Sequence, residues 1–233
     1  MDLKQMLDYC AELDKHNDRA WFHENHKWYE KAKADFVEFL ERLRFEIINN
    51  APDLTNDLMH MQAKDWMYRV ARDMRFYKDR PPYNPSFRAY IATDRKSWMP
   101  IGYFIRIAPG GSCFGTGLWC EDTQRTNMVR DYISENFSDF RTALSHSGLT
   151  LAGRALKTMP RGYSAEDPAA EWLKLKDWSL IAELDDDVVS DAEKICTTVG
   201  ELTARMEPMR KFLLSAAVNA RTEKQILEKF YNI

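Results

Sequence analysis

Apolar residues recur at three- and four-residue steps at both ends of this chain and at two-residue steps in its middle. Leu3, Met6, Leu7, Cys10 and Leu13 predict a helix over residues 3–14. A turn follows at His16-Asn17-Asp18-Arg19, with Asn and Asp as cap residues, and Trp21 and Phe22 open a second helical stretch. Over residues 25–50, Trp28, Tyr29, Ala32, Phe36, Phe39, Leu40, Leu43 and Ile47 form one stripe, and the opposite face is Lys, Glu and Arg. That is a long amphipathic helix, ended by Asn49-Asn50-Ala51-Pro52.

The middle of the chain reads differently. Residues 67–76 fit a strand with Val70, Met74 and Phe76 on one side, and Arg72 on that same side becomes a buried or cleft arginine. Residues 78–85 hold three prolines and form an irregular loop. Strands are expected over 87–93 and 100–108, with Tyr103-Phe104-Ile105-Arg106-Ile107 the clearest. Pro109-Gly110-Gly111 turns the chain back into 113–119, where Gly115 and Gly117 mark a bulge or a close backbone approach. Helices return over 127–135 and 137–144, and 149–156 fits either strand or loop. Asp167-Pro168 starts a helix carrying Trp172, Leu173 and Leu175, a short strand covers 178–182, and a long helix runs over 188–207 until Pro208 kinks or ends it, before a terminal helix. Asp185, Asp186 and Asp187 sit at the positive end of that long helix. Helices, then strands, then helices predict an α+β fold. An antiparallel sheet from the middle of the chain is covered by N-terminal and C-terminal helices, in one domain over 1–233.

The chain has 233 residues, 45% hydrophobic and 30% charged, ordinary for a globular protein with a sizeable core. No apolar run approaches the roughly 20 residues that span a bilayer. The first residues carry charges throughout and lack an apolar signal core, so no secretion signal is expected. Cys10, Cys113, Cys120 and Cys196 are scattered, with no C-x-x-C pair; this argues against a zinc site and a disulfide framework and fits a reducing cytoplasm. The net charge of −3 is unevenly spread. Residues 66–165 hold 15 Lys and Arg against 8 Asp and Glu, whereas 1–65 and 166–233 each hold 9 against 14. A basic middle between acidic ends either focuses an anion or is neutralised within the fold.

The densest chemistry lies in that basic middle. Arg69, Arg72, Arg75, Lys78 and Arg80 fall within twelve positions, laced with Asp73 and Asp79 and bordered by aromatics. Guanidinium forks match planar oxyanions, so Arg69, Arg72, Arg75 and Lys78 are candidate anion ligands. Asp73 and Asp79 are candidate acid–base or orienting groups. The competing reading is an internal Arg–Asp lattice that holds strand to loop. Lys157 and Arg161 flank a Pro–Gly turn and form a second candidate anion-binding pair, set against a solvated basic turn. His23 and His26 match no metal-binding spacing, and no metal ligand set is assigned. Phosphate-loop and nucleophile-elbow motifs are absent, so no cofactor is assigned.

The leading expectation is therefore an intracellular protein that binds an anionic small molecule, including an enzyme acting on a phosphorylated or carboxylated compound. Nucleic acid is the second partner, with Phe76, Tyr77, Tyr83, Phe87 and Tyr90 for stacking, although a pI of about 6.0 counts against it. A non-enzymatic interaction protein with a structural Arg–Asp cluster is the third. No membrane partner is expected, and the oligomeric state is not legible.

The same stretches carry a resemblance: Asn17-Asp18-Arg19-Ala20-Trp21-Phe22 with residues 25–29; Arg69-x-x-Arg72-Asp73-x-Arg75-Phe76-x-x-Asp79-x-x-Pro82-Tyr83; Gly102-Tyr103-Phe104, Pro109-Gly110 and residues 115–119; Leu156-Lys157, Pro160-Arg161-Gly162-Tyr163, Pro168 and Leu173-Lys174. Together they resemble, over the full length, a mainly microbial family of conserved hypothetical proteins that carry a domain of unknown function. The resemblance implies that these clusters belong together, and it implies no activity. Two positions depart from the family pattern. Tyr77 stands where a small polar residue is usual, and Asp167 stands where a His usually precedes the proline.

Overall fold

The computed structural model describes residues 1–75, 79–92 and 98–231, with side chains through Asn219. In chain order the helices are α1 (Leu3–Lys15), α2 (Arg19–Glu24), α3 (His26–Asn50), α4 (Thr55–His60), α5 (Thr123–Glu135), α6 (Phe137–Ser147), α7 (Ala170–Leu173), α8 (Asp186–Val189) and α9 (Ala192–Tyr231). The strands are β1 (Phe87–Ile91), β2 (Gly102–Ile107), β3 (Ser112–Trp119), β4 (Leu151–Ala152) and β5 (Asp177–Leu184), hydrogen-bonded in the order β1-β2-β3-β5-β4. The fold is α+β: a five-stranded antiparallel sheet from the middle of the chain carries the N-terminal and C-terminal helices. Two compact units interleave along the sequence. The first takes Met1–Thr93, Phe104–Phe114 and Ala182–Ala204; the second takes Asp94–Tyr103, Gly115–Ile181 and Arg205–Ile233.

In the first unit α1 packs on α3. The predicted stripes are the buried ones: Leu3, Met6, Leu7, Cys10 and Leu13 from α1, and Ala32, Phe36, Phe39, Leu40, Leu43 and Ile47 from α3. Asp2 and Asp18 cap α1 and α2 by accepting from the Gln5 and Trp21 amides, both at 2.9 Å. Phe87 of β1 meets this layer, with ring centroids 5.4 Å from Phe36 and 6.2 Å from Tyr9.

The second unit is built round Phe140, whose ring lies 5.4 Å from Phe212 and 5.7 Å from Trp172. A buried polar triad crosses its core. The Tyr103 hydroxyl donates to Glu207 Oε2 at 2.6 Å, and Arg210 grips the same carboxylate through Nε at 2.6 Å and Nη2 at 2.7 Å. Of the two alternatives for the β3 glycines, the close backbone approach is the one observed, and it is to β5. A Cβ on Gly115 would stand 2.5 Å from the Leu180 carbonyl oxygen, and one on Gly117 2.5 Å from that of Trp178. The ambiguous stretch 149–156 contributes the two-residue β4, paired antiparallel to β5 as Leu151 with Leu180 and Ala152 with Ser179.

Three expectations need correction. Residues 67–75 do not form a strand: among the described residues they make only single antiparallel bridges, Met67 with Ala89 and Ala71 with Tyr83, and Phe76, the end of the expected strand, lies outside the described residues. The opposing segment explains this, because Pro81, Pro82 and Pro85 have no N–H to donate and a ladder cannot run along them. Asp167 does cap a turn at Pro168, accepting from the Ala169 amide at 2.7 Å while its carbonyl accepts from the Ala170 amide at 2.9 Å, but the helix itself is only α7, Ala170–Leu173, so Leu175 lies beyond it. The last helix neither starts at 188 nor ends at Pro208. The Asp191 side chain accepts from the Glu193 and Lys194 amides and starts α9, which continues through Pro208 to Tyr231. Asp185 to Asp187 lie at the short α8 instead, and both Asp186 carboxylate oxygens accept from the Gly110 amide at 3.0 Å.

Candidate functional site

In the first unit, the segment around Arg72 is tied to the proline loop by a dense clasp. The Arg72 amide donates to the Pro82 carbonyl and the Asn84 amide to the Val70 carbonyl, both at 2.8 Å. The Asn17 side chain reads the Tyr83 backbone in both directions, donating to its carbonyl at 3.1 Å and accepting from its amide at 3.0 Å. The Phe22 and Tyr83 rings stack at 4.1 Å. The Arg72 guanidinium completes the clasp: Nη1 donates to the Pro81 carbonyl at 2.7 Å and to the Tyr83 carbonyl, and Nη2 to Asn84 Oδ1 at 2.6 Å. All of these acceptors are neutral, so the arginine keeps its positive charge while bracing the loop.

That charge has company. A cavity of about 550 Å³ is lined by Arg72, Arg88 and Arg106, together with Asn17, Asn84 and Ser86. Arg88 is half-buried on β1. Its Nη2 donates to the Arg69 carbonyl at 3.2 Å, its guanidinium lies 5.5 Å from the Tyr68 ring centroid, and its buried Nε has no hydrogen-bond partner. Burial, first, and the positive charges of Arg72 and Arg106 pull its pKa below the ordinary arginine range, against an opposing contribution from Tyr68. Arg106 makes no hydrogen bond or ion pair among the described residues. Among the described lining residues the one carboxylate is Asp14, which is exposed. Three arginines thus line one space, and the Arg88 Nε and the Arg106 guanidinium keep hydrogen-bonding capacity there.

The other members of the predicted cluster are placed differently. Arg69 is exposed and enters through its carbonyl, which receives Arg88. Arg75 and Asp73 pair with each other on the surface, Nη2 to Oδ2 at 2.6 Å and Nε to Oδ1 at 2.9 Å. The Arg75 side chain, then its backbone amide, holds the Asp73 carboxyl below its usual range, so Asp73 is an anion throughout the neutral range. Asp79 and Arg80 are exposed. Lys78, with Phe76 and Tyr77, lies outside the described residues.

The second unit contains Lys157 and Arg161. Lys157 is exposed, and Arg161 lines a cavity of about 400 Å³ with Arg130, Arg154 and Lys176. Cys120 also borders this cavity, but burial pushes its thiol up to about 12, which removes it as a nucleophile near neutrality. Asp167, where the resemblance expects a histidine, accepts from the Ser134 hydroxyl at 2.6 Å and so serves the local framework. Among the described residues no three His, Cys, Asp or Glu side chains gather as a metal site. His26 stacks on Tyr29 at 5.8 Å.

Residues 5–212 match a family of conserved hypothetical proteins, DUF2461. The chain belongs to this family. No curated protein and no solved structure matches it. The Asn17–Phe22 and Arg69–Tyr83 stretches both fall inside the DUF2461 match, and the clasp of Asn17, Phe22, Arg72 and Tyr83 gives them a physical reason to occur together. Sequence reasoning passed over Arg88, Arg106 and Arg130. The first two occupy the polar phase of the strand alternation, and Arg130 sits among the buried positions Thr126, Val129 and Ile133 of α5. A charge on a buried stripe was the signal available for the third.

Proposed function

We propose that this protein binds an oxyanion, the phosphate or carboxylate of a small molecule, in the Arg72–Arg88–Arg106 cavity. One observation carries the reading: the half-buried Arg88 faces two further guanidinium groups, and its Nε has no hydrogen-bond partner. Charges drawn together out of water cost free energy, and an anion received there offsets that cost while accepting charge-assisted hydrogen bonds worth about 1.5–3 kcal/mol each. Arg72 braces the loop at the rim of the cavity and adds its positive charge to the field there. Arg69 and Arg75 contribute surface potential, and Lys157 and Arg161 belong to separate chemistry in the second unit. A nucleic-acid reading draws less support, because Phe87 is buried and one face of Tyr83 is covered by Phe22.

The test is thermal unfolding at low salt with phosphate, sugar phosphates, nucleotides, di- and tricarboxylates and a short oligonucleotide. A ligand at 100 times its dissociation constant stabilises by about 2.7 kcal/mol. Arg88→Met and Arg106→Met should keep the fold and lose that stabilisation. A flat panel with wild-type protein, or unchanged shifts in both variants, would refute the proposal.

A further inference from the structure

The cavity of the second unit has its own charge imbalance, independent of the site above. It opens beside the first turns of the 13-residue helix α5 and is lined by four cations and two carboxylates. Both carboxylates are already engaged. Glu121 Oε2 lies 2.9 Å from Arg125 Nη1, and Asp122 Oδ2 lies 3.2 Å from Arg125 Nε while Oδ1 accepts from the Arg125 amide at 2.8 Å to cap the helix. One of the cations is engaged as well: Arg154 forks onto the buried Asp177 carboxylate, with Nη2 2.9 Å from Oδ1, and lies 4.2 Å over the Trp119 ring.

Three cations are left without a carboxylate. Arg130 is the most telling, because only 2% of it is exposed. Nη1 donates to Asn127 Oδ1 and Nη2 to the Leu175 carbonyl, both at 2.9 Å, and the buried Nε has no partner. The guanidinium also lies 5.9 Å from the Tyr163 ring centroid, but no carboxylate pairs with it, and a buried charge without an ion-pair partner is a costly arrangement. Arg161 on the Pro160–Gly162 turn and Lys176 just before β5 are exposed, and neither makes a hydrogen bond or ion pair through its side chain among the described residues. The three cations reach this one cavity from a helix, a turn and a strand approach.

The geometry points to a phosphate-monoester site, with Arg130 as the buried fork and Arg161 and Lys176 as the outer clamps. The charge count chooses the ligand class: a phosphate dianion offsets two of the three unmatched positive charges, whereas a single carboxylate would leave two uncompensated. A volume of about 400 Å³ holds a small phosphorylated molecule rather than a polymer.

Inorganic phosphate is the first probe, followed by titration calorimetry at low salt, with acetate as the monoanion control. Because Arg130 is built into the core and its loss could unfold the unit, the diagnostic variants are Arg161→Met and Lys176→Met, made in full-length protein that also carries Arg88→Met and Arg106→Met. In that background phosphate binding should persist, tighter than acetate, and each further substitution should weaken it about tenfold, the loss of roughly one charge-assisted hydrogen bond. Three results would overturn the inference: no phosphate binding in the Arg88/Arg106 background, acetate binding as tightly as phosphate, or an unchanged affinity when Arg161 and Lys176 are both replaced. A failure here leaves the first cavity's titration intact, and the reverse holds too.

Discussion

Replacing Glu207 by Leu tests the energetics of the second unit's core most directly. The Glu207 and Arg210 side chains are 8% and 1% exposed, joined through two contacts of 2.6 and 2.7 Å, and Tyr103 adds a hydroxyl donor to the same carboxylate at 2.6 Å. Burial, first, and the neighbouring carboxylate push the Tyr103 phenol far above its ordinary range, so it stays a neutral donor at any working pH. Removing Glu207 withdraws a counter-charge held at two contacts from a buried guanidinium, and one acceptor from a buried hydroxyl. Breaking such a pair from one side costs about 3–5 kcal/mol. For a chain of this size each kcal/mol shifts Tm by roughly 2–4 °C, so Glu207→Leu should lower Tm by about 6–20 °C. The triple replacement Tyr103→Phe, Glu207→Leu, Arg210→Met removes both charges of the pair and the hydroxyl together. It should recover most of that loss, since apolar substitutes for a buried ion pair are often neutral or stabilising. Urea unfolding of the single and triple variants, read as a thermodynamic cycle, measures both. A single variant within about 1 kcal/mol of wild type, or a triple variant no more stable than the single one, would show that the triad does not carry this energy.

Arg72→Ala should loosen the proline loop without unfolding the protein: hydrogen bonds to neutral acceptors contribute about 0.5–1.5 kcal/mol each, and limited proteolysis should gain a cut near residues 79–85. The Cys10, Cys120 and Cys196 thiols should be inert in native protein at pH 8, since burial raises Cys10 and Cys120 to about 12 and Cys196 to about 11; dithionitrobenzoate should react with these three only after unfolding. A thiol kept neutral by the fold contributes stability that is complete below its unfolded pKa near 8.5 and is lost as pH climbs toward 11–12, so urea midpoints should fall across that alkaline window. Gly153→Ala would place a Cβ 1.9 Å from the Asp177 carbonyl oxygen, and should destabilise by more than the ~1–3 kcal/mol of ordinary overpacking, seen as a lowered Tm.

The elements that periodicity could reach were legible. The stripes of α1 and α3, the alternation in β2, and the β3 glycines each reflect a local rule written in consecutive residues. The failures have a common cause. Whether 67–76 becomes a strand depends on what lies beside it, and the prolines opposite decide that from ten or more residues away. Pro208 reads as a stop, yet α9 absorbs it, since Glu207 and Arg210 around it are anchored in the core. The candidate site was half legible for the same reason. The sequence cluster pointed to Arg72, which lines the cavity, but Arg88 and Arg106 join it through β1 and β2 being neighbours, a fact of topology and not of spacing. Local charge density also overstated Arg75, whose partner Asp73 is only two residues away.

The interleaving of the two units has a consequence for how the protein is made. A ribosome that has just released Thr93 still lacks Phe104–Phe114 and Ala182–Ala204, so the first unit cannot close until Ala204 has emerged. At synthesis rates of about 5–20 residues per second, α1 and α3 wait several seconds or more with their apolar stripes formed and their last partner, α9, not yet translated. The nascent N-terminal half is therefore the stage at which this protein most needs a chaperone, and a chain truncated before residue 182 should be captured by one rather than fold alone.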